Sequence, residues 1–120
     1  MKYRVDFYKT VSGRKPLADF IRSLDVVLKA RVVAYLHLLE EYGHEAREPL
    51  SKHLSDGIFE LRISGKNQIV RILYFFDNDR IIIATNGFVK KQQKTPRNEI
   101  SIAKERRKDY YSRKEVGTYE

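Results

Sequence analysis

Arg62 and Arg71 flank the run Gly65-Lys66-Asn67-Gln68, and apolar residues alternate with polar ones on its N-terminal side. If those four residues form a hairpin loop, position 62 lies opposite 71, 63 opposite 70 and 61 opposite 72. Phe59, Leu61, Ile63, Val70, Ile72 and Tyr74 then make one apolar face, and the two guanidinium groups share the other. Like charges directly opposite on a sheet repel. The pair therefore calls for an acidic neighbour, such as Glu60 two residues along, or for an anionic ligand. A slip of one residue would remove the pairing. A second constellation is Lys90, Lys91 and Lys94, which lie between an apolar strand and Thr95-Pro96 at the start of a helix. A helix N-terminus already carries positive potential. Lysines there oppose it unless an anion is present, so phosphate binding is the expected chemistry and a plain polar connector the alternative. Lys52 and His53 precede the strands and offer a cation and a candidate proton carrier. His37 and His44 lie near Glu40 and Glu41 without a ligand spacing such as HExxH, and there is no Cys. No metal site is expected.

The elements that must position these groups follow from apolar periodicity. Tyr3 to Tyr8 alternates as a half-buried strand, with Tyr3, Val5 and Phe7 on one face. Pro16 suits the first position of a helix, and Leu17, Phe20, Ile21 and Leu24 form its stripe. Asp25 suits the N-cap of a second helix carrying Leu28, Val32, Tyr35, Leu36 and Leu39, and Gly43 suits its stop. Residues 44–57 are polar, contain Pro49 and read mostly as loop. Three strands follow: 58–64, a nearly continuous apolar 69–76 expected to be central, and 81–88, with turns at 65–68 and 77–80. Thr95 is expected to cap a last helix, on which Ile100, Ala103, Arg107 and Tyr110 share a face. The expected fold is α+β, with order β-α-α-β-β-β-α and an antiparallel sheet packed on an N-terminal helical hairpin. One domain spans 1–112, and 113–120 is expected to fray.

The chain has 120 residues, with 24 Lys and Arg against 16 Asp and Glu, for a net charge of +8. Residues 87–114 alone hold ten basic and three acidic side chains, so +7 of that excess falls in the last quarter. A solvated helix would account for such a run. A polyanion is the more informative partner, since bound Lys and Arg release counterions from phosphates. No apolar run approaches the roughly 20 residues of a membrane span. The charged start Met1-Lys2-Tyr3-Arg4-Val5-Asp6 lacks the apolar stretch of a signal peptide. A cytoplasmic protein without a membrane partner is expected.

Three runs are recognisable together: Lys52-His53-Leu54-Ser55-Asp56-Gly57-Ile58-Phe59-Glu60-Leu61-Arg62; Arg71-Ile72-Leu73-Tyr74-Phe75-Phe76; and Gly87-Phe88-Val89-Lys90-Lys91-Gln92-Gln93-Lys94-Thr95-Pro96 with the basic helix after it. Over nearly the whole chain the sequence resembles the phage-derived HigB-type toxins of the RelE/ParE superfamily. That resemblance implies a toxin of a type II toxin–antitoxin system. It implies a ribosome-dependent mRNA endonuclease, working without metal or other cofactor through attack of an RNA 2′-hydroxyl on the adjacent phosphate. Its implied partners are the ribosome, mRNA and a cognate helix-turn-helix antitoxin of HigA type. The roles it implies are catalytic for Arg71, Arg62, Lys90, Lys91 and Lys94, and RNA-binding for Lys52, His53, Arg97, Lys104 and Arg107. No His–Glu pair stands out as acid and base.

Two other readings fit the same sequence. One is a ParE-like protein that inhibits DNA gyrase by binding, without cutting RNA, and the other is an inactive nucleic-acid-binding relative. Salt-bridged arginines with scattered lysines would favour the gyrase reading. Gathered, open cations would favour the nuclease.

Overall fold

The computed structural model describes residues 2–78, 80–91 and 93–120. Five strands and three helices follow one another: β1 (Arg4–Phe7), α1 (Pro16–Arg22), α2 (Val26–Tyr42), β2 (Ser51–Ser55), β3 (Ile58–Ser64), β4 (Ile69–Phe76), β5 (Ile81–Val89) and α3 (Arg97–Glu115). One sheet has the order β1-β5-β4-β3-β2. β2 to β5 run antiparallel to their neighbours, while β1 lies parallel to β5. The sheet is therefore mixed rather than wholly antiparallel. After β1 the chain climbs into the α1–α2 hairpin and returns at the opposite edge, which leaves the place beside β1 to the last strand.

Local chemistry explains the helix ends. Pro16 opens α1. Asp25 caps α2 by accepting from the Leu28 N–H at 2.8 Å, and Gly43 ends it at φ +49°. The β3–β4 register places Arg62 opposite Arg71, with Ile63 opposite Val70 and Leu61 opposite Ile72.

Both faces of the sheet are covered. The helical hairpin packs Leu17, Ile21, Leu28, Val32, Leu36 and Leu39 on Leu61, Ile63, Val70, Ile72, Tyr74, Ile82 and Ala84. On the other face, Ala103 and Tyr110 of α3 cover Ile58, Leu73, Phe75 and Ile83. This double cover explains the unbroken apolar run of β4. α3 shields only part of its face, and beyond its N-terminal end the sheet carries charge.

Two local expectations are corrected. Residues 51–55 form an edge strand rather than loop. It turns into β3 through Asp56 and Gly57, at φ +51° and +78°, the two positive values a two-residue type I′ hairpin needs. Polar character and Pro49 concealed it, although Asp-Gly is itself a hairpin signal. Thr95 does not cap α3, because the helix begins at Arg97 with Pro96 as its N-cap and Thr95 lies one residue earlier; its hydroxyl donates to Glu60. α3 runs to Glu115, and beyond it the Tyr119 hydroxyl accepts from the Lys9 N–H at 2.8 Å.

Candidate nucleic-acid interface

The charged part of the α3 face is built from three neighbouring strands and the segment after β5. Alternation along β3 sends Glu60 and Arg62 to this face. Arg71 joins them from β4, opposite Phe88 of β5, and Lys52 of β2 lies opposite Glu60. Lys90 arrives by a less direct route. Leu73 pairs with Asn86 but Tyr74 pairs with Ala84, so Thr85 is an extra residue in β5. Such a bulge reverses the alternation beyond it. Ile82 and Ala84 face the helical hairpin, whereas Phe88 faces α3. Lys90 follows in step with Phe88, and its N–H donates to the Ile69 carbonyl at 2.7 Å. The bulge is secured on all sides. The Thr85 hydroxyl donates to the Leu73 carbonyl, and Arg106 donates to the Thr85 carbonyl at 2.8 Å. Next to it, the Asn86 side-chain amide donates to the Glu99 carbonyl and carboxylate, at 3.2 and 2.9 Å.

Glu60 is the hub of the charged patch. It is 2 % exposed and accepts from Thr95 Oγ1 at 2.7 Å and from Arg62 Nε at 3.3 Å. Its Oε1 lies 3.5 Å from Arg71 Nε. Arg62 also donates to Glu48 at 3.2 Å, so the acidic neighbour expected for the arginine pair is present.

Arg71 is less well served. It is 7 % exposed, its Nη1 makes one long hydrogen bond of 3.4 Å to the Val70 carbonyl, and its Nε has no hydrogen-bond partner among the described residues. A guanidinium carries five N–H donors, and leaving them unpaired in a buried place is costly. Burial, and next the charge of Arg62, hold the Arg71 pKa below its ordinary value, against the pull of Glu60. Lys90 responds in the same way. Burial lowers its pKa, and Arg71, Arg62 and Lys52 lower it further against Glu60. Cations that depress one another's pKa form a site electrostatically prepared for an anion.

The structure gathers some of the expected residues and separates others. Lys52, His53, Arg62, Lys94 and Thr95 line one cleft of about 240 Å³ above Glu60. Lys90 and Lys91 line an adjoining recess that shares Gln93 with it. His53 packs edge-on to Phe59 at 5.1 Å, and its Nε2 accepts from the Gly57 N–H at 3.1 Å, so the lone pair a base would use is occupied. Arg97 is exposed at the head of α3. Arg107 is paired with Asp56 at 3.1 Å, and Lys104 donates to Ser55 at 3.1 Å. Both side chains fasten α3 to the β2–β3 turn. Glu60 is the acidic neighbour expected for the arginines, whereas the Thr95 contact to it and the Thr85 bulge are the parts that residue types alone did not assign to the site. No group of three or more His, Cys, Asp or Glu suited to a metal exists among the described residues. No helix among them is long and apolar enough to cross a membrane.

The arrangement is a shallow basic cleft lined by Glu60, with the partly satisfied Arg71 behind that carboxylate at 3.5 Å, and its cations are suited to hold a phosphodiester. The fold is similar to that in the crystal structure of an archaeal RelE–RelB complex from Pyrococcus horikoshii OT3. The match has a TM-score of 0.54 at 18% identity and covers 78% of this chain and 100% of that one. No curated protein sequence matches the chain. A family model does match, over residues 19–108, a span containing both arginines and all three lysines of the segment after β5. The chain belongs to the family described as phage derived protein Gp49-like.

Proposed function

We propose that this protein is the toxin of a type II toxin–antitoxin pair and acts as a HigB-type, ribosome-dependent mRNA endonuclease in the cytoplasm. The observation that carries the reading is Arg71, a buried guanidinium whose Nε makes no hydrogen bond among the described residues and lies 3.5 Å from Glu60, beside Lys90 and next to the cleft that Glu60 lines with Lys52, Arg62 and Lys94. In the proposed reaction the RNA 2′-oxygen attacks the adjacent phosphorus and the bond from phosphorus to the 5′ oxygen breaks. The 2′-hydroxyl gives up its proton, and the departing 5′ oxygen receives one. The products are a 2′,3′-cyclic phosphate and a 5′-hydroxyl, and no metal takes part. Negative charge grows on the non-bridging oxygens, where Arg71 and Arg62 stabilise it with charge-assisted hydrogen bonds. Lys90, with its lowered pKa, protonates the leaving oxygen. Lys91 and Lys94 hold flanking phosphates, and Lys52, His53 and Arg97 extend the track. Lys104 and Arg107 serve the track indirectly, by holding α3 in place. A helix-turn-helix antitoxin of HigA type covers part of this basic surface or blocks ribosome entry. The similar archaeal fold is described in complex with its own RelB.

The carboxylate between Arg62 and Arg71 favours a second reading, in which the patch binds without cutting, as a ParE-like gyrase inhibitor or an inactive relative. Inducible expression in a bacterial host with mapping of RNA 5′ ends separates them. New cuts inside translated codons that disappear in Arg71→Ala support the nuclease. Growth arrest without cuts supports gyrase binding, and soluble protein without arrest supports the inactive relative.

A further inference from the structure

We propose that Glu60 and Thr95 form a positioning strut, which fixes the lysine-bearing segment after β5 to the paired arginines and without which the site binds RNA but cuts it slowly. The inference rests on the nuclease reading above. Glu60 is the buried acid among cations that should attract an anion, and neutralising Arg62 is its simplest role. The geometry shows more. Its Oε1 accepts the Thr95 hydroxyl at 2.7 Å, the shortest of its contacts, while Arg62 and Arg71 lie at 3.3 and 3.5 Å. Thr95 lies one residue before the N-cap Pro96 and makes no capping hydrogen bond to α3, so its hydroxyl hydrogen is committed to Glu60. One buried carboxylate thus ties β3, β4 and the chain entering α3 to a common point. Thr95 lines the cleft together with Lys94, Arg62 and Lys52, so the strut sets the distance between the lysines and the guanidinium groups. A displacement of about 1 Å in such a constellation costs on the order of 100-fold in rate.

Two variants separate this role from neutralisation and from folding. Thr95→Val removes the donor and keeps the shape. In single-turnover cleavage of mRNA on programmed ribosomes it should lower the saturating rate about 10- to 100-fold, leaving half-saturation and thermal midpoint in place, and Thr95→Ser should restore the rate. Glu60→Gln removes one negative charge. It should bind RNA more tightly, with a steeper salt dependence, and yet cut more slowly. Full cleavage by Thr95→Val overturns the strut. So does faster cleavage by Glu60→Gln, because Glu60 would then be only a brake on the cations. Equal losses of rate, binding and stability would mean ordinary structural support and overturn it too. If the native protein cuts no RNA, the nuclease reading fails by itself, and the strut is read by NMR. Hydrogen exchange at the Lys90, Lys94 and Thr95 amides should quicken in Thr95→Val, and unchanged exchange rejects the strut.

Discussion

Arg71 is the residue with most at stake. Its burial beside Arg62 costs stability, offset by the Glu60 carboxylate at 3.5 Å and one long hydrogen bond to the Val70 carbonyl. A bound phosphate would supply the missing partners. Arg71→Ala should therefore cut RNA about 100- to 1,000-fold more slowly with the fold intact, and a folded variant that remains fully active would remove Arg71 from the site. On the proposed function, Lys90 should set the alkaline limit of RNA binding. Its charge is complete below its folded pKa and is lost as pH rises through it. That value lies below the ordinary lysine value of 10.5, so RNA affinity should begin to fall at a lower pH than an unperturbed lysine would give. Replacing it, Lys90→Arg, should move that limb upward. An unmoved limb in a pH series of oligonucleotide binding would mean that Lys90 does not touch the phosphate.

At the scale of elements, α1 lies so close on β5 that glycine is needed at position 87. A Cβ there would come within 2.8 Å of Phe20 Cδ2 and 2.9 Å of Leu17 Cδ1. Gly87→Ala should cost about 1–3 kcal/mol through this overpacking, read from the urea midpoint. An unchanged midpoint would show that α1 can retreat freely. The outer edge of β1 is closed by a different device. The Glu40 carboxylate accepts the Val5 N–H at 2.9 Å, and the Glu40 carbonyl accepts that of Tyr3 at 3.0 Å. A sheet edge that would otherwise invite another strand is thereby covered. β2 forms the opposite edge and brings Lys52 to the cleft.

At the scale of the molecule, the basic last quarter divides into two functions. Its Lys90, Lys91 and Lys94 border the cleft and its adjoining recess, whereas Lys104, Arg106, Arg107, Arg113 and Lys114 hold α3 to the rest of the chain. Arg113 pairs with Asp109 and stacks over Tyr119 at 4.6 Å, and Lys114 pairs with Asp77. The salt dependence of RNA binding should therefore change less on Arg107→Gln than on Lys94→Gln, and equal changes would place α3 in the RNA track. The Arg113 hydrogen bond, and next that of Tyr8, hold the Asp109 carboxyl below its ordinary value. Because its folded pKa is depressed, Asp109 contributes stability above the unfolded aspartate pKa of about 3.9. That contribution is lost as pH falls through the folded value. Asp109→Asn should be less stable than the native protein at neutral pH, with the gap closing on acidification below that point. A gap that persists in strong acid would mean that the asparagine fails by packing instead.

The sequence by itself determined the helical hairpin, the central β4 and the facing arginines. Each rests on a short-range rule: a capping Asp25, a stopping Gly43, a four-residue loop that fixes register. It also located the basic segment, because charge is a property of composition. Tertiary structure decided which cations share a surface. The Thr85 bulge turns Lys90 onto the face of Arg71, and simple alternation from Ile82 and Ala84 would have sent it to the opposite face. Arg107 and Lys104, equal to the others as charges, are committed to Asp56 and Ser55 once α3 docks. Thr95 donates to Glu60, a buried carboxylate 35 residues away, and lies one residue before the N-cap of its own helix. Register, bulges and buried acceptors are set by the partner strand or helix, and the local sequence does not carry that information.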